Sequence, residues 1–164
     1  MIFVTVGSQK FQFNRLVSAV DMLKGSGVIT DEVFIQSGES DYIPRYCRYK
    51  HFLNRDDFAR ISGQSNLFIT HGGTGAIVGA LKTGKKVIAV PRLSKYGEHV
   101  DDHQVQILQQ FDEMKLILPC YEIDQLDDKI KTIQNMQFNT YKSNTDTIIR
   151  ILSNLIDGNL SSSL

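Results

Sequence analysis

Short apolar segments alternate with helical patterns along most of this chain, and that alternation restricts the fold more than any other feature. Residues 2–6 form an apolar segment of strand length, and apolar residues at helical spacing follow it until Gly25. The order repeats where residues 67–70 precede a helical pattern that ends near Lys82 and leads into Lys86–Val90. Strands joined by helices form right-handed βαβ units and a parallel sheet with both faces covered. The sequence therefore predicts an α/β fold with one doubly wound parallel sheet.

Weaker patterns complete this prediction and define one domain. Asn54 is placed to cap a helix that runs through Ile61. Further elements are predicted at residues 33–36, 50–53 and 116–118 (strands) and at residues 101–110, 123–133 and about 141–156 (helices). Residues 1–157 are therefore expected to form a single domain, followed by a flexible, serine-containing tail over residues 158–164.

Charge balance and cysteine content exclude several classes of protein. Lys and Arg number 18 and Asp and Glu also number 18, so the net charge is zero and nothing favours nucleic acid as a partner. Cys47 and Cys120 have no CxxC spacing, which fits a reducing compartment. No apolar run approaches the roughly 20 residues of a membrane span, and the N-terminal residues do not read as a signal peptide. We expect a cytoplasmic protein.

The loop after residues 67–70 carries the most informative binding motif, Thr-His-Gly-Gly-Thr-Gly over residues 70–75. Its glycines let the backbone approach a ligand closely, and the following helix start offers unpaired N–H groups, so the loop suits a diphosphate. The alternative is a tight glycine turn in which His71 is only a polar loop residue. Gly73, Gly75 and Gly79 also imitate a dinucleotide fingerprint, but the third glycine comes one residue late.

Two further loops are expected at the same edge of the sheet, because open parallel sheets bind ligands beyond the carboxyl ends of their strands. The loop after Lys86–Val90 carries polar side chains that suit a hydroxyl-rich ligand: Arg92, Asp101, Asp102 and Gln104. Alternatively, the two aspartates only cap the next helix and Gln104 is solvated on its first turn. The loop after the first strand offers Gly7 and Ser8, the latter for a phosphate.

Several segments together resemble a known family. They cover residues 3–8, 13–17, 70–73, 84–92 and 96–104, and the most specific part is Gly-Glu-His-Val-Asp-Asp-His-Gln over residues 97–104. Across roughly residues 1–110 the chain resembles the C-terminal domain of glycosyltransferase family 28 in its stand-alone form. That form is the catalytic subunit of two-component glycosyltransferases of bacterial capsule and exopolysaccharide synthesis. The chain is also similar to the small subunit of the eukaryotic dolichol-linked UDP-N-acetylglucosamine transferase.

The resemblance implies an inverting, metal-independent GT-B enzyme divided between two chains. This chain would be the Rossmann-like half that binds a UDP-sugar as co-substrate, with no other cofactor. A membrane-anchored partner would bind the lipid-linked acceptor and recruit the chain to the inner face of the membrane. The implied reaction transfers a hexose to a polyprenyl-diphosphate-linked saccharide. Galactose is the first expectation, with glucose, glucuronate or N-acetylglucosamine as alternatives.

The resemblance also implies roles for individual residues. The donor diphosphate is expected to meet the glycine-rich loop and the basic residue after Lys86–Val90: His71, Gly72, Gly73, Thr74 and Arg92. The sugar hydroxyls are expected near four polar residues of the segment that ends at residue 104: Asp101, Asp102, His103 and Gln104. Gly7 and Ser8 would line the cleft that faces the acceptor. The candidates for the general base are Glu98, His99 and His103, unless the partner chain supplies it.

Two observations keep other hypotheses open. Relatives often carry a carboxylate for the ribose in the helix after the glycine-rich loop, whereas residues 76–81 here contain none. A non-catalytic UDP-sugar-binding or scaffold subunit is therefore the alternative, and a nicotinamide-binding protein is a third hypothesis that rests on the imperfect fingerprint. His99 and His103 have no acidic third ligand at suitable spacing, so no metal site is predicted.

Overall fold

The computed structural model describes residues 1–142, which contain one sheet of six parallel strands. The strands are β1 (Ile2–Thr5), β2 (Val33–Gln36), β3 (Arg48–Lys50), β4 (Leu67–His71), β5 (Lys86–Val90) and β6 (Leu118–Pro119). Their order across the sheet is β3-β2-β1-β4-β5-β6. Nearly every residue of β1, β2, β4 and β5 is buried, as expected for a parallel sheet with both faces covered.

Five helices of residues 1–142 cover the two faces of this sheet. They are α1 (Asn14–Gly25), α2 (Arg55–Gln64), α3 (Thr74–Lys82), α4 (His103–Glu113) and α5 (Leu126–Ile133). Apolar residues of α1 and α5 join the core on one face, and those of α2, α3 and α4 join the core on the other. The predicted doubly wound α/β fold is therefore confirmed. None of these helices is long and apolar enough to cross a membrane.

The chain reverses direction across the sheet at β1. From β1 it proceeds through β2 to the edge strand β3, and α2 then carries it back to β4 on the other side of β1. The loop after β1 leads to α1 on one face, while the loop after β4 leads to α3 on the opposite face. The crevice between these two loops is the topological switch point at which open α/β sheets bind ligands.

The structure corrects three predicted boundaries. The strand expected at residues 50–53 is wrong: β3 covers Arg48–Lys50, and its outer residues are exposed cations, so it forms no apolar run. The last strand begins at Leu118, two residues later than expected. The helix expected from residue 101 begins at His103.

The predicted cap is confirmed, because the Asn54 side chain accepts a hydrogen bond from the backbone N–H of Asp57 at 2.8 Å. The predicted last helix and tail lie outside the described residues from residue 143 onwards.

A buried carboxylate organises the connection from β2 to β3, which contains no helix. Asp21 on α1 accepts hydrogen bonds from three consecutive backbone N–H groups, those of residues 45–47, and from the Tyr42 hydroxyl. Burial raises the pKa of Asp21, but these four bonds outweigh it and hold the pKa below its usual value. Asp21 thus fixes a parallel connection that lacks the usual crossover helix.

Candidate functional site

The His71 ring lies between two glycines at the switch point. A Cβ atom added to Gly7 would lie 2.6 Å from Cε1 of His71, and one added to Gly73 would collide with Nε2. Gly7 also has φ +77°, which favours glycine. The sequence attributes these glycines to the approach of a ligand, whereas the structure shows that they accommodate the protein's own imidazole. Burial, followed by the nearby positive charge of Arg92, lowers the pKa of His71 to about 4, so the ring is neutral at pH 7.

Gly72 packs against α4 instead of facing the site. Its backbone N–H donates to Oε1 of Gln104 at 2.9 Å, and an added Cβ would lie 2.6 Å from Leu108. The same Gln104 oxygen accepts from the backbone N–H of Arg92 at 3.0 Å. The Gly72 N–H is therefore already bonded within the protein, and a contact between Gly72 and a diphosphate stays a prediction. The alternative of a solvated Gln104 is wrong, because its side chain is buried and joins two loops.

The start of α3 presents unpaired backbone donors. Gly73 is the N-cap and makes no side-chain cap bond. Within residues 1–142, the N–H groups of Gly73, Thr74 and Gly75 donate to no protein acceptor. The first N–H groups of a helix need partners from outside the helix and carry a partial positive charge. This end of α3, partly open to solvent at the switch point, is suited to an anion.

Arg92 is a fully buried cation two residues after the end of β5. Its guanidinium donates to four backbone oxygens: Val6, Phe11, Gln12 and Glu98. Within the described part of the chain, its Nε has no hydrogen-bond partner. Burial lowers the pKa of Arg92 to about 10, which leaves the group charged at pH 7. The side chain therefore fixes the loop after β1 and places a positive charge beneath the site, but it is too enclosed to reach a ligand directly.

Asp101 joins the two histidines that the sequence proposes as bases. Its Oδ1 lies 3.1 Å from Nδ1 of His99, and its Oδ2 lies 3.0 Å from Nδ1 of His103. The exposed fractions of the side chains are 19% for His99, 51% for His103 and 38% for Asp101, so a substrate can reach this cluster. Burial raises the pKa of Asp101, but hydrogen bonds from His103 and the nearby His99 outweigh it, and the net pKa is lowered.

Comparison with known proteins now assigns the family. The model of the glycosyltransferase family 28 C-terminal domain matches residues 1–156. The chain belongs to this family. Among solved structures, it is similar to the solution structure of ALG13, with a TM-score of 0.61, 19% identity and coverage of 93% of this chain and 94% of that one. It is also similar to the glycotransferase of kitacinnamycin, with a TM-score of 0.54, 15% identity and coverage of 83% of this chain and 35% of that one. No curated protein matches it.

Glu98 of this family 28 domain is placed differently from the two histidines. Its side chain is 1% exposed and its carboxylate receives three hydrogen bonds, two from Arg15 and one from the backbone N–H of Leu93. A base must exchange a proton with a bound substrate, and this carboxylate has no exposed surface for that exchange. Among the three predicted bases, the geometry favours the histidines.

The remaining predicted residues lie near the same edge. Asp102 is the N-cap of α4 by position, but its Oδ1 accepts from the backbone N–H of Ser94 at 2.7 Å and makes no cap bond. Asp101 instead accepts from the backbone N–H of His103 at 3.1 Å, so the capping alternative holds for one aspartate only. Ser8 is exposed beside Gly7.

Among residues 1–142, no three His, Cys, Asp or Glu side chains converge to hold a metal ion.

Sequence reasoning gave no role to Arg15, which the structure places at the centre of the polar network. Arg15 lies in the first turn of α1, where a cation is unfavourable for the helix dipole and where no acidic residue compensates it. A cation at this unfavourable position indicates that the side chain has an acidic partner elsewhere in the fold. This is the sequence signal that could have identified Arg15 as part of the site. The partner, Glu98, is 83 residues away in sequence.

Proposed function

We propose that this chain is the donor-binding subunit of an inverting glycosyltransferase, which transfers a hexose from a UDP-sugar to a lipid-linked saccharide. Membership of family 28 supports sugar transfer. The observation that carries the proposal is the switch-point crevice, where three unpaired N–H groups begin α3. A UDP-sugar brings a diphosphate, and a helix N-terminus is a common binding site for such a group.

The charges around the crevice favour the same ligand. Arg92 contributes a buried positive charge, whereas the neutral ring of His71 contributes none. The backbone donors at residues 73–75 are fixed before the ligand arrives, so they stabilise the diphosphate as it departs without reorganising. We therefore assign the leaving group to α3 and the sugar to the neighbouring loop with Asp101 and His103.

The reaction would be a direct displacement at the anomeric carbon. The acceptor oxygen forms a bond to that carbon while the bond to the β-phosphate oxygen breaks and UDP leaves. The acceptor hydroxyl gives its proton to an imidazole, His99 or His103. Asp101 contacts Nδ1 of both rings. When Nδ1 donates to the carboxylate, the ring is oriented and Nε2 is left as the proton acceptor.

The acceptor side of the site is assigned to a second chain. Residues 1–142 form one Rossmann-like sheet, and the resemblance to the stand-alone family 28 subunits supports placing the acceptor half of a GT-B site on a second chain. We expect a membrane-anchored subunit to bind the polyprenyl-diphosphate-linked saccharide and to hold this chain at the cytoplasmic face of the membrane. Galactose is the first candidate for the sugar, followed by glucose, glucuronate and N-acetylglucosamine.

Ligand-observed NMR with the purified chain tests the proposal. The ligands are UDP, UDP-galactose, UDP-glucose, UDP-glucuronate and UDP-N-acetylglucosamine, with NAD as the control. Selective saturation transfer to uridine protons, strongest for one sugar, is the expected result. An absence of uridine signals both from the chain alone and from the chain with its partner would reject the proposal. Signals from NAD alone would favour the dinucleotide hypothesis.

The lack of a carboxylate in α3 favours one second candidate, a non-catalytic subunit that only captures the donor. Turnover in the reconstituted complex separates the two. A catalytic subunit loses turnover when both His99 and His103 are replaced by glutamine, whereas a capture subunit retains it.

A further inference from the structure

We propose that Arg15 and Glu98 form a positioning pair that fixes the two candidate bases, and that Glu98 does not itself accept the substrate proton. The inference rests on the function proposed above. It arises because the loop between β5 and α4, residues 91–102, contains only one short helical turn, Ser94–Tyr96. A loop with so little regular structure needs side-chain bonds to hold a defined shape.

The Glu98 carboxylate supplies those bonds. Oε1 accepts from Nε of Arg15 at 2.9 Å, and Oε2 accepts from Nη2 of Arg15 at 2.9 Å. Oε2 also accepts from the backbone N–H of Leu93 at 2.9 Å, which closes residues 93–98 into a ring. A bidentate arginine–carboxylate pair fixes both distance and orientation, which a lysine cannot do.

Arg15 ties this ring to a rigid helix. It belongs to α1, whose neighbouring residues Leu16 and Val17 are fully buried in the core. Its guanidinium lies 5.4 Å from the ring centre of Phe13 and 5.0 Å from that of Tyr96, and it also donates to the Pro91 carbonyl at 2.8 Å. The loop is therefore held on α1 at its start, Pro91, and again at Glu98.

The pair is directly connected to the candidate bases. His99 follows Glu98 in the chain, and the Glu98 carbonyl is itself held by Nη1 of Arg92 at 3.2 Å. His99 contacts Asp101, which contacts His103. A displacement of Glu98 would therefore displace His99 and, through Asp101, His103. Displacements of about 1 Å at a reacting group commonly cost on the order of 100-fold in rate.

The test compares Arg15→Gln, Glu98→Gln and the double variant in three measurements. Imidazole resonances report the positions of the histidines in the chain alone, UDP binding reports the donor site, and turnover with the partner reports catalysis. The matched control is Arg60→Gln, which removes an exposed ion pair with Asp57 of the same 2.9 Å length. Arg15→Lys is included because it keeps the positive charge but cannot form the bidentate pair. It replaces the glutamine variant if that variant does not fold.

We expect both single variants to shift the His99 and His103 resonances and to lower turnover by about 10- to 100-fold, with UDP affinity unchanged. The double variant should be no worse than either single variant, because both break the same pair. Arg15→Lys should shift the same resonances, whereas Arg60→Gln should change nothing.

The opposite pattern would overturn the inference. If Glu98 is the base, Glu98→Gln abolishes turnover while Arg15→Gln leaves it within about 3-fold, and the histidine resonances stay in place. Failure of the wild-type chain to bind UDP both alone and with its partner would instead reject the proposed function. The imidazole resonances would still test the pair in that case, since they require neither donor nor partner.

Discussion

The side-chain oxygen of Gln104 lies 2.9 Å from the backbone nitrogen of Gly72, so the first turn of α4 is bonded to the loop that follows β4. The same oxygen also accepts from the backbone of Arg92. Two of the three loops at the switch point therefore share one buried acceptor. The shape of the site depends on a residue that the sequence places in solvent or on the sugar.

Replacement of Gln104 by alanine should destabilise the fold by roughly 2–4 kcal/mol, because two buried N–H groups lose their acceptor. Urea unfolding followed by circular dichroism measures the change. Gln106→Ala is the matched control, since Gln106 is exposed on the same helix, and it should change stability by less than about 0.5 kcal/mol. Equal effects of the two substitutions would show that the Gln104 bonds contribute nothing.

Alanine at Gly73 should destabilise the protein by about 1–3 kcal/mol, because its Cβ would collide with the buried ring of His71. Gly79→Ala provides a control of opposite sign. Gly79 is exposed within α3 with open space around its Cα, so alanine there should stabilise by about 0.5–1 kcal/mol. Thermal unfolding measures both changes. If Gly73→Ala is tolerated as well as Gly79→Ala, the ring does not occupy the position described.

The free energy of unfolding should fall as the pH is lowered from about 6.5 to about 4. His71 stays neutral in the folded chain until its pKa of about 4, whereas in the unfolded chain it takes up a proton near the ordinary histidine pKa of 6.5. The unfolded state therefore binds more protons across this interval, and the full loss is about 3 kcal/mol. His71→Gln should flatten the pH dependence of urea unfolding in this interval. An unchanged slope in that variant would contradict the assignment.

The sequence predicts those parts of the fold that follow from local pattern. β1, β4 and β5 are apolar runs because both of their faces are buried, and this placed the switch point and its loops correctly. β3 was misplaced because an edge strand with exposed cations has no such run. The site was predicted as a region, but the bonds within it were not. A glycine-rich motif does not reveal which protein group fills the space beside it, so the sequence alone does not show that the Gly72 N–H bonds to Gln104.

Long-range polar pairs were the least predictable part of the site. Asp21 and the backbone of residues 45–47 meet across 24 to 26 positions, and Arg15 and Glu98 meet across 83. No local periodicity encodes such a pair. A buried polar residue within an apolar helix face, such as Asp21 on α1, indicates only that some partner exists.

A comparison of Thr74→Pro with Thr74→Ala tests whether the start of α3 binds the donor diphosphate. Thr74 is the first residue of α3, where proline removes one N–H and is otherwise tolerated, and the extended backbone of Gly73 suits a following proline. Both variants lack the threonine hydroxyl, so their difference isolates the N–H group.

Titration calorimetry with UDP gives the decisive number. Loss of one charge-assisted hydrogen bond predicts that Thr74→Pro binds UDP about 10- to 100-fold more weakly than Thr74→Ala, with both variants folded. Equal UDP affinity of the two folded variants would show that the diphosphate does not bind at the start of α3 and that the donor site lies elsewhere.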